Sequence, residues 1–328
     1  MNKRKINGQS VNPIGLGCMN LSHAYGHPPS EEDAIKLLHE AIELGVEHFD
    51  TAALYGFGKN EVLLGKALKP YRDKIFLASK CGMTGVNGKR VIDGRPETLR
   101  STIESSLTRL NTEVLDLYYL HRMDRSVPIE ESVGELSRLV AEGKIKAIGL
   151  SEVSAESIRR ANSVHSIAAV QTEYSLWTRN PEIAVLETCK HIGAAFIAFS
   201  PLARGFLTDQ VTSREALVEG DIRRGMPRFN DPHFSKNKQL LSALKSIAQS
   251  THLTLAHVCL AWVLHQGEHV HVIPGTQNSK HLADNVNAEN IVLSAEQLTQ
   301  LSVLFSPSSV SGSRYPEATQ AEIDTEEF

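Results

Sequence analysis

Four side chains of different chemistry, Asp50, Tyr55, Lys80 and His121, fall at or just beyond the ends of short apolar runs. Asp50 closes the run from Glu47, Tyr55 follows after Thr51-Ala52-Ala53-Leu54, Lys80 follows Leu77-Ala78-Ser79, and His121 follows Leu117-Tyr118-Tyr119-Leu120. Taken singly, each has an ordinary explanation: a packed tyrosine, a solvated lysine, a core histidine. Together they make a proton-transfer unit. A phenol titrates near ~10 and is a poor acid at neutral pH, but an adjacent ammonium lowers that value. Lys80 is expected to act in this way on Tyr55. Asp50 supplies the countercharge that keeps a lysine protonated in a partly dry pocket, and His121 orients the oxygen of a small-molecule carbonyl substrate. Such a quartet delivers a proton to a developing alkoxide. The hydride must then come from elsewhere, which calls for a nicotinamide.

Elements that could position these groups recur along the chain. The expected strands are Pro13 to Gly17, Glu47 to Asp50, Ile75 to Ser79, Val114 to Leu120, Ala147 to Ser151, Ala169 to Glu173, Ala194 to Ser200 and Val270 to Pro274, with amphipathic helical patterns between them. Ser30 with Glu31 and Glu32 caps one helix that Gly45 closes, and Asn180-Pro181 opens another. Eight strand-helix units with no break in composition predict a single α/β domain, a (β/α)₈ TIM barrel, over residues 1–306. Asn7-Gly8, between Lys3 to Ile6 and Ser10 to Asn12, predicts an N-terminal β-hairpin that plugs the barrel.

Two segments break the pattern. Leu207 to about Lys236, after the seventh strand, is expected to be a long loop over the top face, and residues 307–328 an acidic, flexible C-terminal tail. In such barrels the loops after strands seven and eight often take phosphate. Here they read Ser200-Pro201-Leu202-Ala203-Arg204-Gly205 and Pro274-Gly275-Thr276-Gln277-Asn278-Ser279-Lys280-His281, the second running into a helix whose N-terminal amides favour an anion.

Bulk properties narrow the class. With 41% hydrophobic residues, 22% charged residues and a net charge of -4, the chain has the composition of a well-cored globular protein rather than a nucleic-acid binder. The short basic patch at Arg223, Arg224 and Arg228 reads as a solvated loop. Cys18, Cys81, Cys189 and Cys259 are scattered, which argues against disulfides and a thiolate metal site, and His23 and His27 lack further ligands, so no metal is expected. The polar start from Met1 to Ile6 and the absence of a long apolar run argue against a leader and a membrane span, giving a cytoplasmic reading. No feature specifies an oligomeric state or a particular substrate.

From Gly15-Leu16-Gly17 to Asn285 the chain resembles the aldo-keto reductase superfamily, in its auxin-induced-protein-like or pyridoxal-reductase-like branch. The resemblance rests on Phe49-Asp50-Thr51-Ala52 with Tyr55-Gly56, Lys80, Leu120-His121, Gln171-Thr172-Glu173-Tyr174-Ser175, Ser200-Pro201-Leu202, and Ile273-Pro274-Gly275-Thr276 with Asn285. It implies an NADP-dependent alcohol dehydrogenase or carbonyl reductase, with Tyr55 as proton donor supported by Asp50, Lys80 and His121. It also implies cofactor contacts: Ser151 and Gln171 on the nicotinamide amide, Phe199 stacking on the ring, and Ser200, Pro201, Leu202 and Arg204 along the pyrophosphate. Ile273, Gly275, Thr276, Gln277, His281 and Asn285 fall toward the adenosine half, and Met19 and Trp177 toward nicotinamide or substrate.

The chain departs from the family where Ser-Asn is usual, having Ser151-Glu152, and where Lys and Arg are usual, having Gly275 and His281. Lys280 or Arg204 would then have to meet the 2′-phosphate. Two other readings use the same residues: a nicotinamide-binding redox-sensing regulatory subunit with little turnover, and an aldolase with Lys80 as Schiff base.

Overall fold

The computed structural model of the chain describes residues 3–86 and 89–328; Met1 and Asn2 of the polar start, and Asn87 and Gly88, lie outside it. Strands β1 (Arg4–Ile6) and β2 (Gln9–Val11) form the N-terminal hairpin, turning at Asn7 and Gly8 with φ of 49° and 76°. Asn and Gly enter this left-handed region at low cost, which is why the pair marks the turn. Ile6 and Val11 are buried in the barrel-interior cluster. Arg4 donates to the carbonyls of Gly267 and Leu264 at 2.8 and 2.9 Å and to that of Val270, fastening the plug to the barrel's end.

Eight parallel strands follow: β3 (Leu16–Gly17), β4 (His48–Asp50), β5 (Phe76–Cys81), and, after a side hairpin of β6 (Met83–Val86) and β7 (Lys89–Ile92), β8 (Leu117–Leu120), β9 (Ile148–Ser151), β10 (Ile167–Glu173), β11 (Ala195–Phe199) and β12 (Val270–Ile273). The ring closes between its first and last members. Gly15 donates to the Val272 carbonyl and Val272 to that of Pro13, both at 2.9 Å. The (β/α)₈ barrel is therefore observed, each strand within a few residues of its expected run.

Helices α1 (Glu31–Glu43), α2 (Lys59–Leu68), α3 (Pro96–Leu110), α4 (Ile129–Ala141), α5 (Ala155–Val164), α6 (Val185–Ile192), α7 (His233–Ser250), α8 (Leu255–Leu264) and α9 (Ser279–Asn287) surround the barrel, with α10 (Ala295–Leu304) and α11 (Glu317–Gln320) beyond it. Ser30 caps α1 as expected, accepting from the Asp33 amide at 3.1 Å, and Gly45 follows the helix at φ 90°. Asn180-Pro181 opens only a single turn, Asn180–Glu182, before α6 begins at Val185. Among the described residues no single helix is long and apolar enough to cross a membrane.

The segment from Leu207 to Lys236 is not a bare loop. It holds two short turns, Ile222–Gly225 and Pro227–Phe229, and the start of α7, anchored by buried Leu207, Val211, Leu217, Met226, Phe229 and Phe234. The tail differs from expectation too. Its acidic residues have fixed partners: Asp324 accepts from Ser154 N–H (3.1 Å) and the Ser154 and Ser157 hydroxyls, Glu326 accepts from Ala155 N–H (2.8 Å), and Glu322 pairs with Arg90 (2.6 Å). The N-terminus of α5 presents free amides and a positive dipole end to two carboxylates, so this acidic run binds where a solvated one would fray.

Along each barrel strand alternate residues face inward. The inward set runs His48 and Asp50; Phe76, Ala78 and Lys80; Leu117, Tyr119 and His121; Ala147, Gly149 and Ser151; Ala169, Gln171 and Glu173; Ala195, Ile197 and Phe199; His271 and Ile273. Gly149 is required beneath Tyr119, because a Cβ there would lie 2.3 Å from the ring. Polar groups gather at the two ends of this stack. His48 and His271 are fully buried, His48 with neither ring nitrogen partnered and His271 against the Lys5 and Asn12 backbone of the hairpin.

Burial holds His48 at a pKa of about 4 and His271 at about 3, and drives His121 well below the ordinary histidine range. The unfolded chain takes up these protons near pH ~6.5, whereas the native state resists them, so this stability is complete above that pH and lost progressively as pH falls from there toward the folded values. The urea midpoint should therefore drop between pH 7 and pH 4.5, and a His48→Asn, His271→Asn double variant should show a shallower drop. An equally steep fall in the variant would assign the acid sensitivity to other groups.

Candidate active site

The top of the barrel gathers the four expected catalytic side chains. Lys80, fully buried, directs its ammonium at three acceptors: the Asp50 carboxylate, the Thr51 carbonyl at 2.8 Å and the Tyr55 hydroxyl at 3.1 Å. His121 meets Tyr55 edge to face with centroids 5.9 Å apart, and its Nδ1 is buried without a partner. The other Asp50 oxygen accepts from Gln171 Nε2 at 2.7 Å, so Gln171 belongs to the support of the lysine as well as to the expected cofactor set.

The chain between Asp50 and Tyr55 is pinned at its backbone and at one buried amide. Thr51 N–H donates to Ala78 O (3.0 Å), Ala53 N–H to Lys80 O (3.2 Å), and the Thr51 hydroxyl to Asn60 Oδ1 (2.6 Å). Asn60 Nδ2 in turn donates to Cys18 O at 2.8 Å and to Ser22 Oγ at 2.9 Å. The tyrosine is thereby returned over the barrel mouth. A buried Glu61, accepting from Ser79 Oγ (2.6 Å) and Arg109 Nε (2.7 Å), locks α2 and α3 behind the strand that carries Lys80. Neither Asn60 nor Glu61 was among the expected site residues, and their part in it follows from these contacts.

The electrostatics correct one expectation. Burial raises the Tyr55 pKa by more than Lys80 lowers it, so the phenol titrates above its ordinary value rather than below. It is held protonated. For Lys80, burial disfavours the charge, but Asp50 and Tyr55 outweigh it and the ammonium persists. His121 is neutral, through burial first and the nearby Arg122 and Lys80 second.

Other expected residues divide between two regions. Ser151 is buried beside Arg122, whose Nη1 lies 3.4 Å from its hydroxyl, and Phe199 ends β11 at the mouth. Ser200, Ala203, Arg204 and Gly205 all have positive φ, giving a tight loop with Pro201 and Leu202. After the neighbouring strand β12, a Cβ at Gly275 would stand 2.9 Å from Gly17 O and 3.2 Å from Asn20 Oδ1, so no longer side chain fits there without displacement. Gln277 donates to Asn20 O at 2.6 Å, next to Met19, and Ile273, Thr276 and Asn285 are buried around this turn. Asn278 caps α9 by accepting from the Lys280 and His281 amides at 2.9 and 3.1 Å. Those amides are already satisfied. The exposed side chains of Lys280 and His281 are what the helix start offers.

Arg204 and Trp177 are placed differently from expectation. Arg204 is buried, donating to Tyr25 OH (2.8 Å), Glu173 Oε2 (2.8 Å) and Tyr315 OH (2.9 Å), so its guanidinium is committed to the mouth rather than free for phosphate. Trp177 stacks on Phe206 with centroids 4.1 Å apart and is closed off by Phe229, which makes it core. Glu152, Glu173, Arg314 and Tyr315 were no part of the expected site. Glu173 had a signal: it lies two residues beyond Gln171 and so on the same inward face. Among the described residues no group of three or more metal-ligating side chains converges.

With this geometry in hand, the relatives are informative. Residues 13–304 match the aldo/keto reductase family, and the chain belongs to that family. It is 43% identical over 310 residues to "Probable aldo-keto reductase 1" of Glycine max, covering 94% of this chain and 89% of that protein. Among solved structures it is similar to a glycerol dehydrogenase from Gluconobacter oxydans (TM-score 0.85, 27% identity, 93% and 95% of the two chains covered). It is also similar to an aldo/keto reductase from Klebsiella pneumoniae in complex with NADP and acetate (TM-score 0.72, 27% identity, 96% and 98% covered).

Lys80→Met should cost on the order of 3–5 kcal/mol, because it leaves Asp50 as a buried carboxylate without its cation. The orphaned carboxyl will bind a proton more readily, so the deficit in urea midpoint should shrink as pH falls and be largely relieved by adding Asp50→Asn. A Lys80→Met protein as stable as the parent at pH 8 would show that the pair is not held dry.

Proposed function

We propose that the chain is an NADP-dependent reductase of aldehydes or ketones in which Tyr55 is the proton donor. One observation carries the reading: a fully buried ammonium, Lys80, bonded at once to a carboxylate and to the hydroxyl of Tyr55, with neutral His121 against the same ring. A phenol kept protonated by burial, beside a cation that stabilises the phenolate once it forms, suits an acid that must hold its proton until an alkoxide develops. His121 Nδ1 or Nε2 can hydrogen-bond the substrate oxygen within reach of Tyr55. Asp50 and Gln171 keep Lys80 in place, and Thr51 fixes the approach of the tyrosine loop.

The residues present fit a nicotinamide dinucleotide. Asn20 Oδ1 is buried without a partner beside Gly275, which lacks a Cβ and so packs its backbone directly on Gly17 O and Asn20, and the exposed Lys280 and His281 stand at the start of α9. When bound, the cofactor supplies the hydride. Ser151, Gln171 and Phe199 would hold its nicotinamide, the Ser200-Pro201-Leu202 turn its pyrophosphate, and Gly275, Thr276, Gln277 and Asn285 its adenosine half. With Arg204 engaged elsewhere and Gly275 unable to carry a cation, Lys280 with His281 is the remaining site for a 2′-phosphate.

A screen of NADPH oxidation against aldehydes, ketones and pyridoxal tests the activity. Tyr55→Phe should lower kcat by ~10² or more while leaving NADPH affinity nearly unchanged, and Tyr55→Phe with Lys80→Met should be little slower than the slower single variant, since both act in one proton transfer. Fully multiplicative losses would separate the two residues. NADPH bound tightly but not oxidised with any carbonyl would favour the redox-sensing reading.

Cofactor choice has its own test. NADPH should bind more tightly than NADH by fluorescence quenching, and Lys280→Met should erase most of that difference, a loss on the order of 10-fold for NADPH alone. Equal weakening of both cofactors would remove Lys280 from the 2′-phosphate.

A further inference from the structure

The barrel mouth contains a second charge cluster that the proton-transfer quartet does not use. Glu152 follows β9 directly after Ser151, and Glu173 ends β10 two residues after Gln171, so the two carboxylates flank the two residues read as holding the nicotinamide amide. They are adjacent in space: the Glu173 amide donates to Glu152 Oε1 at 2.8 Å. Both are buried. Two like charges so placed are unstable unless cations reach them.

The cations come from distant parts of the chain. Arg204, after β11, takes Glu173. Arg314, from the C-terminal tail, donates to Glu152 Oε1 at 2.8 Å and lies 3.4 Å from Glu173 Oε2, while its neighbour Tyr315 donates to Glu173 at 3.2 Å. Among the described residues Arg314 is the sole ion-pair partner of Glu152. Arg228 stands behind, on Trp177 O and the Thr178 hydroxyl, and Tyr25 closes the side against Arg204.

The tail also holds the backbone at this turn. Glu152 adopts φ 54°, a conformation a non-glycine residue keeps only when its surroundings impose it. Its N–H donates to Gln171 O at 3.0 Å and its carbonyl accepts from Asp324 N–H at 3.0 Å. Ser151, Glu152 and Gln171 are thus clamped from one side by the strand and from the other by the tail.

We propose that Arg314 is a positioning residue for the nicotinamide site, and that docking of the C-terminal tail and binding of the nicotinamide half of the cofactor are one coupled event. The claim rests on the reading of Ser151 and Gln171 as the nicotinamide contacts. Without Arg314, Glu152 becomes an unpaired buried carboxylate against Glu173. At low pH a proton neutralises it; at high pH it ionises, repels its neighbour, and releases the strained turn that sets Ser151. In the intact protein burial acts to raise the Glu173 pKa, but Arg204 first, then Arg314 and Arg228, hold it at about 2, so Glu173 stays ionised across the working range.

The test is NADPH titration by fluorescence quenching on the full chain at pH 6 and pH 8, each variant being compared with the parent at the same pH. Arg314→Met should bind about 10-fold or more weakly at pH 8 and within about 3-fold at pH 6, while Arg314→Met with Glu152→Gln should recover most of the loss at pH 8, since both charges are then gone. A role in packing alone predicts neither the pH dependence nor the rescue. By reciprocity, NADPH should slow tryptic cleavage after Arg314 in the parent protein, a readout that stands even if Arg314→Met fails to fold.

An Arg314→Met affinity equal to the parent at both pH values, a double variant no better than the single, or a cleavage rate indifferent to NADPH would overturn the proposal. Failure of the parent itself to bind NADPH would remove the cofactor reading, and this inference with it, which is a distinguishable result.

Discussion

A lysine ammonium buried at the centre of a barrel is the constraint on which the rest of this structure turns. Lys80 can stay charged there only because all three of its protons are accepted, by the Asp50 carboxylate, the Thr51 carbonyl and the Tyr55 hydroxyl. Each acceptor comes from the end of β4 or the turn that follows it, so the pairing of β4 with β5, register His48 to Phe76 and Asp50 to Ala78, sets the geometry before any side chain moves. Gln171 then fixes the far oxygen of Asp50 from across the barrel. The tyrosine inherits its position and its protonation from that arrangement.

The inward faces of the strands make three layers of different polarity. Neutral His48 and His271 lie toward the hairpin, Phe76, Leu117, Tyr119, Ala147 and the alanines of β5, β10 and β11 fill the middle, and the ionised groups occupy the top. Small residues opposite large ones, Gly149 under Tyr119 above all, let the middle layer close. A closed middle layer shields the top from solvent below, and this is why burial sets the direction in which Tyr55 and His121 titrate, whereas Lys80 keeps its charge because Asp50 and Tyr55 outweigh burial.

Charge is also what the C-terminal segment contributes. Its acidic residues dock on the first turn of α5 and on Arg90, and its single arginine enters the mouth in the opposite sense, toward Glu152 and Glu173. A segment with few apolar anchors, Tyr315 and Ile323 among them, is held by complementary charge at several points. The same region of the molecule therefore carries two networks side by side, one around Lys80 and one around Glu173, joined through Gln171.

Much of this was legible in the amino-acid sequence because it depends on local periodicity. Short apolar runs at regular intervals specified the eight strands and the barrel, Asn7-Gly8 specified the hairpin, and the position of Asp50, Lys80 and His121 at run ends placed them at one face, since strand direction alone decides that. The tertiary structure decided what depends on groups far apart in the chain. That burial outweighs Lys80 in setting the Tyr55 pKa, that Arg204 turns to Glu173 rather than to a phosphate loop, and that Arg314 crosses 162 residues to reach Glu152, are all consequences of which charges share a dry volume. Sequence spacing carries no information about that volume. It exists only once the barrel has closed and the tail has been laid across its mouth.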